Sequence, residues 1–340
     1  MFWRLLGWFF GAVFGGMLLL AMAVYAHYRD FLETPLTVPA EGLVVSVEPG
    51  DSVGRVGRRL ADVGALEVVP YFRLHGRLSG LASRIQVGEY AIDPDTTPAQ
   101  LLSAMASGRV LQRSLTVVEG WTYRQLREAL ARHPHITQTL EGLSDEETMA
   151  RLGHPGQHPE GRFFPDTYLF PSGFTDFEFL QRAYRRMDEQ LTEAWADRTP
   201  DLPLDSPEEA LILASIIERE TGQSGERREV AGVFIRRLQQ DWLLQTDPTV
   251  IYGLGDAFDG DLRRRDLETD TPYNTYTRKG LPPTPIALPG AASLQAAVDP
   301  APGDAMFFVS RGDGTHQFSR TLDEHNRAVR RYQLQQQQTQ

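Results

Sequence analysis

The 340-residue sequence predicts an α+β fold in three parts: an N-terminal transmembrane helix, a small α+β unit and a larger mixed α/β domain. Three observations predict this organisation. An uncharged run opens the chain, strand and helix patterns continue from residue 43 onward, and the segment "LILASII" (211–217) is apolar all round its helix. Because such a helix must be buried, the third part needs a substantial core around it.

Composition excludes several classes of function. The net charge of −11 provides no basic field that would attract nucleic acid. The chain has no cysteine, and its eight histidines are scattered without an H-E-x-x-H pattern. A G-x-S-x-G elbow and a glycine-rich phosphate loop are also missing. We therefore expect no metal, no cofactor and no nucleic-acid partner.

The N-terminal run Leu5–Ala26 is uncharged and long enough to cross a bilayer of roughly 30 Å. Arg4 precedes it, which favours a cytoplasmic N-terminus and a periplasmic main body under the positive-inside rule. We interpret residues 1–29 as a single-pass anchor in the inner (cytoplasmic) membrane and residues 30–42 as a linker. A cleaved signal peptide is the alternative, because small-residue motifs such as Ala21-Met22-Ala23 lie near the end of the apolar run.

Residues 43–112 have the pattern of a compact α+β unit. Leu43, Val45 and Val47 alternate as in a strand, Pro49-Gly50 predicts a turn, and Asp51 or Ser52 is suited to cap a helix. The stretch "VEPGDSVGRVGRRL" resembles the opening of a LysM module, a small sugar-binding fold, although an ordinary turn and cap would explain it too.

The patterns continue through residues 113–333, which we assign to one catalytic domain. The tail, residues 334–340, is rich in glutamine without an apolar face and is predicted to be disordered.

Glu218 follows the buried run of the third part directly. Ser206 and Glu209 are spaced as a capping box, Pro207 suits the first helical position, and Gly222 predicts the end of the helix. On this helix Glu218 falls on the otherwise apolar face, close to the negative end of the helix dipole. Both effects favour its protonated form, which suits a general acid.

A structural role for Glu218 stays open at this point, since it could end the helix and pair with Arg219, Arg227 or Arg228. Two downstream segments favour a site instead: "LLQTDPTVIYGLG" (243–255) and "YNTYTRKGLPPTPIALPG" (273–290). Their amide, hydroxyl and tyrosine groups are those that recognise sugar hydroxyls and pyranose faces, so we predict a glycan-binding groove.

Several separated segments together resemble the YceG-like endolytic murein transglycosylases. They are "VVEG", "EGRFFPDTYLFP", "LASIIERETG", "ERREVAGVFIRRL", "LQTDPTVIYGLG", "DLETDTPYNTY" and "GLPPTPIALPGAASLQAAVDP". The resemblance spans roughly residues 40–333 in the family's order, and Glu218 matches the family's catalytic glutamate. It implies cleavage of the MurNAc-GlcNAc β-1,4 bond of peptidoglycan strands, with formation of 1,6-anhydroMurNAc ends.

As a hypothesis, we also assign roles to other residues. Gln245, Thr246 and Asp247 would orient Glu218 or hold the sugar, and four residues would line the groove: Tyr273, Asn274, Thr275 and Tyr276. Glu220 is the second candidate acid, although a solvated residue at the helix end is the favoured interpretation. Glu119 and Asp166 are interpreted as structural hydrogen-bond partners.

Two other functions stay open, namely a non-catalytic wall-binding scaffold and a hydrolytic muramidase that would use Asp247 as its second carboxylate. The family implies endolytic action, a role as a terminase of nascent strands, and association with penicillin-binding peptidoglycan synthases. The lipid bilayer is the expected partner of the N-terminal helix.

Overall fold

The computed structural model describes residues 2–223 and 225–332. These residues form a mixed α+β structure with an N-terminal apolar helix, which confirms that part of the predicted fold class. Two compact units are present: one holds the residues up to Arg113 together with Leu169–Ser172, and the other holds Ser114–Tyr168 and the residues from Gly173 onward. The predicted disordered tail lies outside the described residues.

The first unit contains four helices and two paired strands. Their bounds are α1 (Phe2–Glu33), β1 (Leu43–Val47), α2 (Val53–Asp62), α3 (Val69–Leu78), β2 (Gly88–Ile92) and α4 (Pro98–Ser107). β1 and β2 run antiparallel, with Leu43 opposite Ile92 and Val47 opposite Gly88. The alternation of β1 places Val45 and Val47 in the core, where they join Phe72 of α3.

Helix α1 is long and apolar enough, from Trp8 to Glu33, to cross a membrane by length and composition. Large apolar side chains along it are exposed, so no protein core explains its composition. A membrane anchor and a signal sequence would both have this character. Near its C-terminal end the helix is attached to α3 by rings: His27 and Phe31 meet Tyr71 edge to face at centroid distances of 5.5 and 5.6 Å.

The segment after α1 is bound to the first unit. Leu36 is buried, and its N–H donates to the carbonyl of Thr96 at 2.9 Å. The N–H of Thr37 donates to the carbonyl of Ala65 at 3.2 Å. The predicted linker, residues 30–42, thus includes the end of α1 and a stretch fixed by backbone hydrogen bonds.

Strand β3 (Gln112–Thr116) leads toward the second unit, which contains nine described helices and several short strands. Their bounds are α5 (Tyr123–Arg132), β4 (Ile136–Thr137), α6 (Asp145–Arg151), β5 (Thr167–Pro171), β6 (Phe174–Thr175), α7 (Asp176–Ala196), α8 (Pro207–Glu220), α9 (Arg227–Gln239), α10 (Asp247–Leu254), α11 (Arg264–Glu268), α12 (Ala291–Val298), β7 (Phe307–Ser310), β8 (His316–Ser319) and α13 (Leu322–Tyr332). Strand β5 only begins in this unit, because its residues from Leu169 onward belong to the first unit. β4 and β6 pair in parallel, and β7 and β8 form an antiparallel hairpin.

Helix α8 is the buried helix that the sequence predicts, since every residue from Ala210 to Ile217 is buried. Ser206 caps its N-terminus by accepting the N–H of Glu209 at 3.3 Å. The reciprocal half of the capping box differs from the prediction, because the Glu209 carboxylate accepts the N–H of Asp205. The helix ends at Glu220 with an extended residue, Thr221, as its cap, so the predicted stop at Gly222 is not used.

Helix α8 packs against four other helices and is joined by a hydrogen bond to the loop before α12. Helices α7, α9, α10 and α12 all contact it. Within the helix the buried hydroxyl of Ser215 donates to the carbonyl of Ile212 and accepts the N–H of Ile286 at 3.0 Å. This bridge holds the proline-rich loop before α12 against α8.

Candidate active site

The Glu218 carboxyl group is enclosed between the end of α8 and the start of α12. Its side chain is 5% exposed. One oxygen accepts the N–H of Gly290 at 2.9 Å, and the other accepts from the Arg227 guanidinium at 3.2 Å. Two directional donors therefore fix the orientation of a nearly dry carboxyl group.

The contact with Arg227 differs from the sequence prediction, which placed only apolar groups and the helix dipole around the Glu218 carboxyl group. The guanidinium is buried, 9% exposed in its side chain, and its Nε donates to the Ser293 hydroxyl at 3.1 Å. It is one of the three arginines that the sequence offered as a structural partner. The site is thus an ion pair in a buried pocket.

The turn that contains Glu119 and Gly120 closes the other side of Glu218. A methyl group placed on Gly120 would lie 3.7 Å from Cδ of Arg219 and 3.9 Å from Cγ of Glu218. Arg219 donates to the carbonyl of Gly120 at 3.2 Å. The Glu119 carboxylate, 49% exposed, lies 3.6 Å from the same Arg227 nitrogen that contacts Glu218. Glu119 thus belongs to the ionic cluster around Glu218, which the sequence interpretation missed.

A cleft of about 660 Å³ lies beside this cluster in the second unit. Arg219, the residue after Glu218, lines it, together with Thr122 from the turn after Gly120. Aromatic groups on its wall include Tyr252 and Phe258. The size and the mixture of aromatic and polar groups suit a sugar-sized ligand.

Glu160 is a buried acid in the wall of this cleft, 3% exposed. One of its oxygens accepts the N–H of Tyr123 at 2.9 Å, and the hydroxyl of Tyr252 is a further hydrogen-bond partner. Burial raises the pKa of Glu160 from its ordinary 4.5 to about 7 against the opposing effect of these donors. Glu160 was not among the site residues predicted from the sequence, where the available signal was a lone glutamate before the aromatic residues of "EGRFFPDTYLFP".

We expect Glu160 to make folding stability depend on pH. Because the folded state holds the proton more tightly than the unfolded chain, its contribution is complete below about pH 4.5 and is lost as the pH rises toward about 7. Glu160→Gln should reduce the fall in unfolding free energy between pH 4.5 and 7.5 by about 3 kcal/mol. Urea unfolding at several pH values would measure it.

Glu189→Gln is the matched control, because Glu189 is an exposed residue of α7 that pairs with Arg186. It should leave the pH dependence of stability unchanged. A Glu160→Gln protein whose stability falls with pH in parallel with the unsubstituted protein would contradict the assignment.

The first set of predicted groove residues lies at the N-terminus of α10. Gln245 and Asp247 are exposed, whereas Thr246 is buried. The N–H of Gln245 donates to the carbonyl of Thr275 at 3.1 Å, and the N–H of Thr246 donates to the Thr275 hydroxyl at 3.1 Å. The two loops that the sequence singled out therefore meet at this point.

The second set forms the matching loop. Asn274 and Thr275 are buried; the Asn274 amide donates to backbone carbonyls, including that of Thr269 at 2.7 Å. Tyr273 and Tyr276 are partly exposed, and the hydroxyl of Tyr276 donates to the Asp247 carboxylate at 2.5 Å. Burial and this hydrogen bond raise the pKa of Tyr276. Asn274 and Thr275 thus stabilise the loop, while the tyrosines keep exposed surface.

These residues gather around Glu220. The Thr246 hydroxyl donates to the Glu220 carboxyl group, and Asp247 is close enough to affect it. Burial raises the pKa of Glu220 from its ordinary 4.5 to about 7. The interpretation of Glu220 as a solvated helix-end residue is therefore wrong, because the residue is only partly exposed and Thr246 binds its carboxyl group.

Comparison with known proteins identifies the family. The model of the YceG-like family matches residues 45–331. The chain belongs to the YceG-like family. The resemblance proposed from the sequence blocks is thereby confirmed, and the chain shares its family with curated proteins of stated activity.

Two curated relatives are both named "Endolytic murein transglycosylase". The protein from Bacillus subtilis is 32% identical over 308 residues, which cover 85% of this chain and 84% of that protein. The protein from Streptococcus pneumoniae D39 is 22% identical over 92% of this chain and 62% of its own length. A crystal structure of a YceG-like protein from Listeria monocytogenes matches with a TM-score of 0.55 and 28% identity, covering 85% of this chain and 99% of that one.

Proposed function

We propose that this protein is a membrane-anchored endolytic lytic transglycosylase that cleaves the MurNAc-GlcNAc β-1,4 bond of peptidoglycan. The observation that carries the proposal is the buried, doubly hydrogen-bonded Glu218 carboxyl group beside a sugar-sized cleft. The names of the curated relatives supply the substrate class.

Glu218 performs both proton transfers in this proposal. As an acid it protonates the glycosidic oxygen, so the bond from that oxygen to C1 of MurNAc breaks. As a base it then takes the proton from the C6 hydroxyl of the same sugar, and the C6 oxygen bonds to C1. The glutamate ends as it began, the products are a free GlcNAc hydroxyl and a 1,6-anhydroMurNAc end, and no water is consumed.

The cleft supports this chemistry in two ways. Tyr252 and Phe258 offer ring faces for pyranose packing, and Arg219 places a donor next to the reacting carboxyl group. The low exposure of Glu218 excludes water that would otherwise compete with the C6 hydroxyl. Gln245, Asp247, Tyr273 and Tyr276 would contact the strand further along, with Thr246, Asn274 and Thr275 holding their loops.

The setting follows from the same proposal. Helix α1 would anchor the chain in the inner membrane with the catalytic unit in the periplasm, and the LysM-like residues 43–112 would lie between them along the chain. In this position the enzyme would act as a terminase of nascent strands beside penicillin-binding synthases.

Mass spectrometry of purified peptidoglycan after incubation with the full-length protein in detergent tests the proposal. We expect muropeptides with 1,6-anhydroMurNAc ends, together with shortened glycan strands. Reducing MurNAc ends would assign the protein as a hydrolytic muramidase. Binding to peptidoglycan with no new chain ends would indicate a wall-binding scaffold.

A further inference from the structure

The two residues that follow Glu119 hold it against the Glu218 site by backbone hydrogen bonds. The N–H of Gly120 donates to the carbonyl of Leu288 at 2.9 Å, and the N–H of Leu288 donates to the carbonyl of Trp121 at 2.7 Å. A methyl group on Gly290 would lie 1.9 Å from Oε1 of Glu119. The Glu119 carboxylate therefore occupies the space that the missing side chain of Gly290 leaves, next to the N–H that binds Glu218.

Glu119 and Glu218 share one nitrogen of Arg227, at 3.6 and 3.2 Å. The bond from Arg227 to Ser293 fixes the guanidinium from the other side, so its charge is divided between the two carboxylates. They differ in exposure, 49% for Glu119 and 5% for Glu218. Burial, and next the charge of Glu218, raise the pKa of Glu119, while Arg227 opposes them.

We propose that Glu119 is a positioning residue that draws part of the Arg227 charge away from Glu218 and so keeps Glu218 able to hold a transferable proton. The inference rests on the proposed function. An arginine bound to Glu218 alone would stabilise its ionised form, in which it cannot protonate the glycosidic oxygen. A second negative charge on the same guanidinium has the opposite effect.

Among the described contacts around Glu218, Glu119 is the group whose negative charge compensates the positive charge of Arg227. Helix α8 contributes Arg219, whose guanidinium donates to the carbonyl of Gly120, and α9 contributes Arg227. The start of α12 contributes the hydroxyl of Ser293 and the N–H of Gly290, both uncharged. Among these contacts the turn before α5 supplies the compensating negative charge through Glu119.

The test is the pH dependence of anhydro-muropeptide release by the full-length protein. In Glu119→Gln the pH at which half of the rate is lost on the basic side should fall by about 0.5–1 unit. The reason is that Arg227 then interacts with Glu218 alone, and its full positive charge favours the ionised carboxylate. Glu119→Asp should restore part of the shift. Gly290→Ala, whose methyl group displaces the Glu119 carboxylate, should move the basic limb in the same direction as Glu119→Gln.

Glu189→Gln, the exposed α7 control, should leave the profile in place. If the unsubstituted protein releases anhydro ends and Glu119→Gln lowers the rate without moving the basic limb, Glu119 has only a structural role and the inference is overturned. If the unsubstituted protein releases none, the proposed function fails instead, so the two outcomes are distinguishable.

Discussion

Replacement of Glu218 by Gln should reduce the release of anhydro-muropeptides by about 10²–10⁴-fold, because the amide keeps the shape but has no transferable proton. The amide oxygen can still accept one of the two bonds from Gly290 and Arg227, while the amide nitrogen faces a second donor. We therefore expect some loss of stability with the fold retained. Mass spectrometry of digested peptidoglycan measures the loss of activity, and circular dichroism checks the fold.

Glu220→Gln is the informative comparison. Glu220 is a partly exposed acid two residues along α8, and its partner is the Thr246 hydroxyl. Its replacement should lower activity much less than replacement of Glu218. Near-normal release by Glu218→Gln together with abolished release by Glu220→Gln would transfer the acid role to Glu220.

Replacement of Arg227 by Met should destabilise the protein by about 3–5 kcal/mol, because it leaves the Glu218 carboxylate buried without its counter-charge. The two side chains are 9% and 5% exposed, so solvent screens the pair very little. Urea unfolding at pH 7 would measure the change. The double variant with Glu218→Met should be more stable than Arg227→Met alone, since an apolar pair removes the unpaired charge.

The adjacent residue provides the control. Arg228 pairs with Asp299 on the surface, with side chains 54% and 40% exposed, so Arg228→Met should cost about 0–1 kcal/mol. Equal costs at the two positions would show that burial does not strengthen the Arg227 pair.

Local signals in the sequence predict much of the fold. Thr97 and Gln100 form the capping box at the start of α4, and Ser206 caps α8, because these contacts join residues three apart. The burial of α8 follows from an apolar run without a polar face. Such signals act within one or two helical turns, where sequence distance and spatial distance agree.

The contacts that define the site join distant segments, and they could not be predicted in this way. Gly290 reaches Glu218 from 72 residues away, and Glu119 lies in a turn about a hundred residues before Arg227. Nothing local to Arg227 distinguishes it from Arg228, yet one is buried at the site and the other lies on the surface. Only the packing of α9 and α12 against α8 decides which arginine faces inward.

The ring contacts between α1 and α3 have a mechanical consequence. The ring of Tyr71 contacts those of His27 and Phe31, and the hydroxyl of Tyr28 forms a hydrogen bond with His75 at 3.0 Å. These contacts join the rest of the first unit rigidly to the C-terminal end of α1. If α1 spans a bilayer, any change in its tilt turns the first unit through the same angle. Lipid thickness would then set the orientation of this unit relative to the membrane.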